Sequence, residues 1–166
     1  MRLKDKIKRP RRPVVAYEIL PPREKDGTLN SYASNISSLL SQTHIDAINI
    51  PEVRDEVARG ERPIKNQIRA EPREFGKLLQ DIVGIEAIVN RVVVHQNIEQ
   101  EMKWIEETNS KYEIENIITV GGESREIRYP GPTVNQALHA ISQNDSLNLL
   151  CGGISIPSRD RESKRL

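Results

Sequence analysis

Ala16-Tyr17-Glu18-Ile19-Leu20-Pro21-Pro22-Arg23 is the stretch from which the rest of the chain is read. The apolar run Val14 to Leu20 has the length and composition of a short buried strand. Pro21 and Pro22 end it, because neither donates a ladder hydrogen bond and Pro22 holds its neighbour extended. One carboxylate, Glu18, sits inside the run. Burial near the C-terminal end of a strand disfavours its charged form and raises its pKa, which is the state a general acid needs near neutral pH. The plainer reading is an edge-strand glutamate that points at water.

Beyond the octet the pattern alternates. Thr28 is a candidate N-cap, and Leu29, Tyr32, Ala33, Ile36, Leu39 and Leu40 fall at helical spacing over residues 29–42. Ala47 to Ile50 reads as a second strand stopped by Pro51. Pro72 opens a helix through Phe75, Leu78, Leu79 and Ile82, and Gly84 ends it. Ala87 to His95 is a third strand with a β-branched end. Ile98, Met102 and Ile105 mark the next helix, with Trp104 in its core. Asn116 to Val120 is a fourth strand closed by Gly121-Gly122. Val134, Ala137, Leu138 and Ile141 give a fourth helix, and Leu147 to Ile156 a fifth strand.

The order β-α-β-α-β-α-β-α-β, with short apolar strands lacking alternation, predicts a parallel sheet covered on both faces. Right-handed crossovers leave an open doubly wound sheet or part of a β/α barrel. No G-x-G-x-x-G and no G-x-x-x-x-G-K-[ST] is present, so neither phosphate-binding fingerprint is found. Polar residues gather after strand ends, at Glu18, Glu52, His95, Glu123 and Arg159, with Asn49 and Ser155 beside them. In both architectures that is the ligand face. Gly121-Gly122 permits close approach of a planar or phosphorylated ligand, or simply makes a tight turn. His95 is a ligand contact or a satisfied core histidine. His44 and His139 read as surface residues, and three scattered histidines make no metal site.

At 166 residues the chain suits one domain with a core, here residues 14–159, flanked by a basic tail (1–13) and a charged tail (160–166). The basic tail is read as solvated. A formal net charge of +1 gives no bulk reason to expect nucleic acid or a membrane surface. Aromatic residues make up 4%, so the core must come from Ile, Val, Leu and Ala. No apolar run reaches spanning length. Cys151 is the one cysteine, which excludes an internal disulfide and suits a reducing, cytoplasmic setting. Its place in an apolar strand reads as inert packing.

A strand-one glutamate before Pro-Pro resembles the opening of the methylenetetrahydrofolate reductase family. The resemblance continues in Val92-Val93-Val94-His95, in Val120-Gly121-Gly122-Glu123, in the loop Tyr129-Pro130-Gly131-Pro132-Thr133-Val134, and in Cys151 to Pro157. It implies the start of a TIM (β/α)8 barrel, with about five strands and four helices present. It also implies reduction of 5,10-methylenetetrahydrofolate to 5-methyltetrahydrofolate by hydride from FAD or another flavin. Reduced nicotinamide or another electron donor would recharge the flavin. Glu18 would be the general acid that opens the folate imidazolidine ring, and Glu123 would stabilise the resulting cation. His95, Gly121, Gly122 and Ile156 would hold the flavin. A full barrel needs eight strands and at least about 200 residues, so either the chain is a truncated part of such an enzyme, or a second chain or an oligomer completes the barrel, or the sheet closes some other way. Two further readings stand beside this one. The first is a non-catalytic half-barrel that binds another chain. The second is a flavodoxin-like sheet on a phosphorylated ligand, which requires strand one to be central.

Overall fold

The computed structural model describes residues 2–54, 68–122 and 127–154. Its five strands are β1 (Ala16–Glu18), β2 (Ala47–Pro51), β3 (Ala87–Val92), β4 (Asn116–Val120) and β5 (Leu150–Gly153). They form one sheet in the order β1-β2-β3-β4-β5, and every adjacent pair is parallel. The helices are α1 (Leu3–Lys8), α2 (Leu29–Leu40), α3 (Pro72–Val83), α4 (Ile98–Ser110) and α5 (Val134–Ser142).

Sequential order decides between the two architectures left open by the sequence. When each strand is laid beside the last by a right-handed crossover, every connecting helix falls on the same face. A doubly wound sheet must reverse direction, which leaves its first strand internal. Among the described residues β1 is at the edge, which goes against the flavodoxin-like reading. The α/β arrangement is consistent with part of a β/α barrel.

Local chemistry places the helices as expected. Thr28 caps α2 by accepting from Ser31 N. Glu71 caps α3 ahead of Pro72, and Gly84 closes it in the left-handed region at φ 73°. Capping boxes open α4 (Asn97 with Gln100) and α5 (Thr133 with Gln136). The helix-facing sides of the strands supply the core. Ile48, Ile50, Ala87 and Val89 pack under Ala33, Leu40, Phe75 and Leu79 of α2 and α3. Ile117 packs under Ile105 of α4 and Ile141 of α5.

Three expectations change. The sheet is not covered on both faces: on the side away from α2–α5, Asn49, Ile88, Asn90, Ile118 and Leu150 are only half-buried. The first strand is three residues long and exposed throughout, Glu18 included, because β2 is its only strand neighbour among the described residues. The third strand ends at Val92, and Val93–His95 forms a single 3-10 turn.

The basic segment is not a solvated tail. α1 lies across the N-terminal ends of the strands, with Leu3 only 1% exposed. The cations at this end find polar residues that precede the strands. Arg2 donates to both oxygens of Glu115 (2.7 and 2.6 Å), and Lys4 donates to Asn148 (3.0 Å). Leu3 N donates to Glu86 (2.7 Å). Leu3 and Ile7 line a cavity of about 240 Å³ with Ile88, Ile118 and Leu150 of the open face. A stretch of mostly charged residues reads as solvated because composition does not show where its partners are.

Asp46, just before β2, anchors the end of this segment. It accepts from Val15 N (3.0 Å) and lies 3.0 Å from Lys6 Nζ and 2.8 Å from Arg12 Nη2. The Val15 amide, then the Lys6 ammonium, hold its carboxyl well below the usual range, at about 2. The folded-state pKa is depressed, so this contribution to stability is full above the unfolded value near 4 and is lost as pH falls toward about 2. Asp46→Asn should therefore flatten the acid limb of the stability profile across that window, read as thermal midpoint against pH. A parallel acid limb in the variant would show that Asp46 does not carry it.

Candidate functional site

Strand parity decides which side chains face the open side at the C-terminal ends. Glu18 stands opposite Asn49, and Pro51 opposite Asn90. Glu18, Asn49 and Asn90 therefore share that face, one on each of β1, β2 and β3. Asn49 Nδ2 donates to Glu18 Oε2 at 3.0 Å, so the β2 amide fixes one carboxylate oxygen of β1. The contact also sets the amide: a carboxylate only accepts, so Asn49 must turn its NH2 group toward it. Asn49 Oδ1 is then directed elsewhere, and it is buried with no partner among the described residues. Asn90 Oδ1 is in the same state.

Past the strand ends the loops are tied to one another. Arg23 and Arg69 form an antiparallel bridge, Ala70 N donates to Pro22 O (2.8 Å), and Arg69 Nη1 donates to Pro21 O (2.7 Å). The Pro21-Pro22 corner that stops β1 is thus also the attachment point for the chain re-entering toward α3.

The β3–β4 side of the rim is built differently. His95 lies in the turn after β3, half-buried, with its ring edge-on to Tyr129 at 5.5 Å and 82°. The Tyr129 loop is locked down by Gly131, whose N donates to Val94 O at 2.8 Å. Tyr129 lies against Gly122 so closely that a Cβ there would come within 2.3 Å of the ring. The flat group that Gly122 accommodates is this tyrosine. Gly121 has no such constraint, since a Cβ would meet Val134 Cγ2 at 3.6 Å, an ordinary contact.

The predicted site residues therefore separate. Glu18 and Asn49 come together on the open face. Glu18 is exposed on an edge strand, as the plainer of its two readings has it, and not in the buried setting of the other. His95 and Gly122 lie against Tyr129, which stands where the glycine pair is expected to receive a flavin ring, while Gly121 faces Val134. At Gly122 this arrangement leaves no room for a planar group beside Tyr129. Glu123, Ser155, Ile156 and Arg159 lie outside the described residues. Glu52 turns away from the rim: it accepts from Arg91 Nη1 (2.9 Å) and from Val92 N (2.8 Å). Cys151 is half-buried, and burial pushes its thiol up to about 11, as inert packing requires. His44 and His139 are exposed.

Asn90 is the side chain that the sequence reading missed. The period-two rule carries its signal. Within Ala87-Ile88-Val89-Asn90-Arg91-Val92, Asn90 falls on the opposite face from the helix-facing Val89, near the end of the strand.

No protein-family model and no curated protein matches the chain. Among the described residues, no helix is long and apolar enough to cross a membrane. Among solved structures, the chain is similar to an uncharacterised protein from Clostridium thermocellum that binds two copies of 5-methyl-5,6,7,8-tetrahydrofolic acid, at a TM-score of 0.67 and 19% identity. The match covers 98% of this chain and 51% of that one, so the chain spans about half the length of this neighbour. At that identity the likeness speaks for the fold: over about half of its length, the Clostridium protein is built as this parallel α/β sheet is.

Proposed function

We propose that this chain is the carrier-binding part of a methylenetetrahydrofolate reductase-like β/α barrel. A folate-type one-carbon carrier would lie on the open face, at the C-terminal ends of β1 to β3. The observation that carries the reading is the Glu18–Asn49 pair, a carboxylate oriented by an amide from the next parallel strand. That end of a β/α sheet is where such folds place their chemistry. The fold shared with a protein that binds 5-methyltetrahydrofolic acid supports the ligand class.

In this reading Glu18 carries its proton on Oε1, with Oε2 still accepting from Asn49 Nδ2, and delivers it to the bridging N10 of 5,10-methylenetetrahydrofolate. The carbon–N10 bond breaks, its electron pair stays on N10, and a methylene iminium remains at N5. Reduction of that iminium, with a flavin and a nicotinamide donor, is the activity proposed for the whole protein. The His95–Gly122 gap supplies no flavin seat for it. β1 and β5 both lack a second strand neighbour among the described residues, which favours completion of the barrel by further strands, and assembly with another chain or copy is one way to supply them. Light scattering tests that last point, and a monomer at every concentration would count against it.

Calorimetry with 5-methyltetrahydrofolate tests the main reading. Saturable binding is expected, weakened roughly tenfold or more in Glu18→Ala, the usual loss for a hydrogen bond to a charged group. No heat from soluble, folded protein would sink the reading for this chain. FAD or FMN titrated into the same sample should leave the visible spectrum unchanged. A saturable shift that disappears in His95→Ala would restore the flavin seat.

A further inference from the structure

Among the described residues, three buried side-chain atoms have no hydrogen-bond partner: Asn49 Oδ1, Asn90 Oδ1 and Arg69 Nε. Buried polar groups are almost always paired, and each exception requires a reason. These three are not scattered. Asn49 and Asn90 share the open face of β2 and β3, as diagonal neighbours across the pair. Arg69 is pinned to the same rim through Pro21 O, three residues past Glu18. Elsewhere the described chain satisfies even its most heavily charged interior, so the shortfall is specific to this corner.

We infer that Asn49 and Asn90 are the specificity-determining side chains of the carrier site, each accepting one N–H from the reduced pterin ring. This rests on the folate reading above. The row Glu18, Asn49, Asn90 steps across three adjacent strands, a span on the order of 10 Å at the usual inter-strand spacing. A fused two-ring heterocycle with a short arm has that length. Its exocyclic 2-amine is placed at Asn90 Oδ1 and the next ring N–H at Asn49 Oδ1. The arm that bears the bridging nitrogens then reaches Glu18, where the proton is needed. The ring also carries a carbonyl oxygen, and Arg69 Nε is the one buried side-chain donor without a partner among the described residues. Two unpaired acceptors and one unpaired donor complement a ring edge with two donors and one acceptor. A site of this kind discriminates strongly, because an analogue without the N–H leaves the buried oxygen unpaired.

The test compares 5-methyltetrahydrofolate with its 2-desamino-2-methyl analogue by calorimetry on wild type, Asn90→Leu and Asn90→Asp. Wild type should prefer the natural carrier by roughly 10- to 100-fold, the range set by one buried unpaired group. Asn90→Leu should lose the preference, and Asn90→Asp, which keeps acceptor oxygens, should retain it. Without ligand, Asn90→Leu should melt no lower than wild type, since it removes an orphaned amide. Equal binding of the two compounds by wild type overturns the inference and leaves the folate reading intact. Failure of wild type to bind either compound overturns both. A marked loss of stability in ligand-free Asn90→Leu would show that the amide serves the fold, and it too overturns the inference.

Discussion

Arg91→Met is expected to cost about 3–5 kcal/mol, the usual price of stranding one member of a buried ion pair. The Arg91 side chain is 4% exposed and that of its partner Glu101 is 0% exposed. Two parallel bonds join them, Nε to Oε2 at 2.8 Å and Nη2 to Oε1 at 2.7 Å. The remaining donors reach Glu52 (2.9 Å) and Gln96 (2.8 Å). The guanidinium also lies 4.6 Å from the Trp104 ring, and Arg73 lies 4.5 Å from the same ring. Removing the arginine leaves a carboxylate on α4 with no solvent and no cation. Glu101→Leu alone should cost less, because Arg91 keeps Glu52 at 2.9 Å and Gln96 at 2.8 Å. The double variant Arg91→Met/Glu101→Leu should recover much of the loss, because apolar replacement of a whole buried pair is often neutral or better. Urea denaturation of the three proteins reads this. Single-variant losses under 1 kcal/mol would mean that the pair is solvated and not structural.

Gly131→Ala is the second large effect, expected at about 2–3 kcal/mol. A Cβ at this position would lie 2.3 Å from Gln96 O, 2.6 Å from Val94 C and 2.7 Å from Val93 O. All three are backbone atoms, so no side chain can swing aside. The loop must lift, breaking the bond from Gly131 N to Val94 O and unseating Tyr129 from Gly122. Gly121→Ala is the control, since its Cβ would make only an ordinary contact with Val134, and a change within about 0.5 kcal/mol is expected. Thermal midpoints of the two variants should differ by several degrees, on the order of 2–4 °C per kcal/mol for a chain of this size. Equal midpoints would mean that the loop is not docked as described.

The strand–helix alternation was legible because each element carries its own period and its own stop signal. Asn116–Val120 and Pro72–Val83 stand within a residue or so of where sequence places them. The sequential strand order was not legible, since crossover handedness leaves two windings and only pairing decides. The Glu18–Asn49 contact depends on register between two strands about thirty residues apart, which no local pattern encodes. Tyr129 against Gly122 is likewise a tertiary contact, and a glycine pair looks the same whether it receives a ligand or a neighbouring ring. The Arg91–Glu101 pair did have a readable signal. An arginine inside an apolar strand needs a partner, and Glu101 falls on the same helical stripe as Ile98, Met102 and Ile105.

α1 also sets a schedule for folding. Its anchors Glu115 and Asn148 lie 113 and 144 residues further along the chain than the side chains that reach them. The helix is synthesised before any of its distant partners and must wait on the ribosome while four strands are made. A six-residue helix has little stability alone, because its nucleation is unfavourable. Its docking therefore comes late and depends on a sheet that is already in register. These most sequence-distant contacts act as a final latch, closing only on a chain whose strands are correctly ordered.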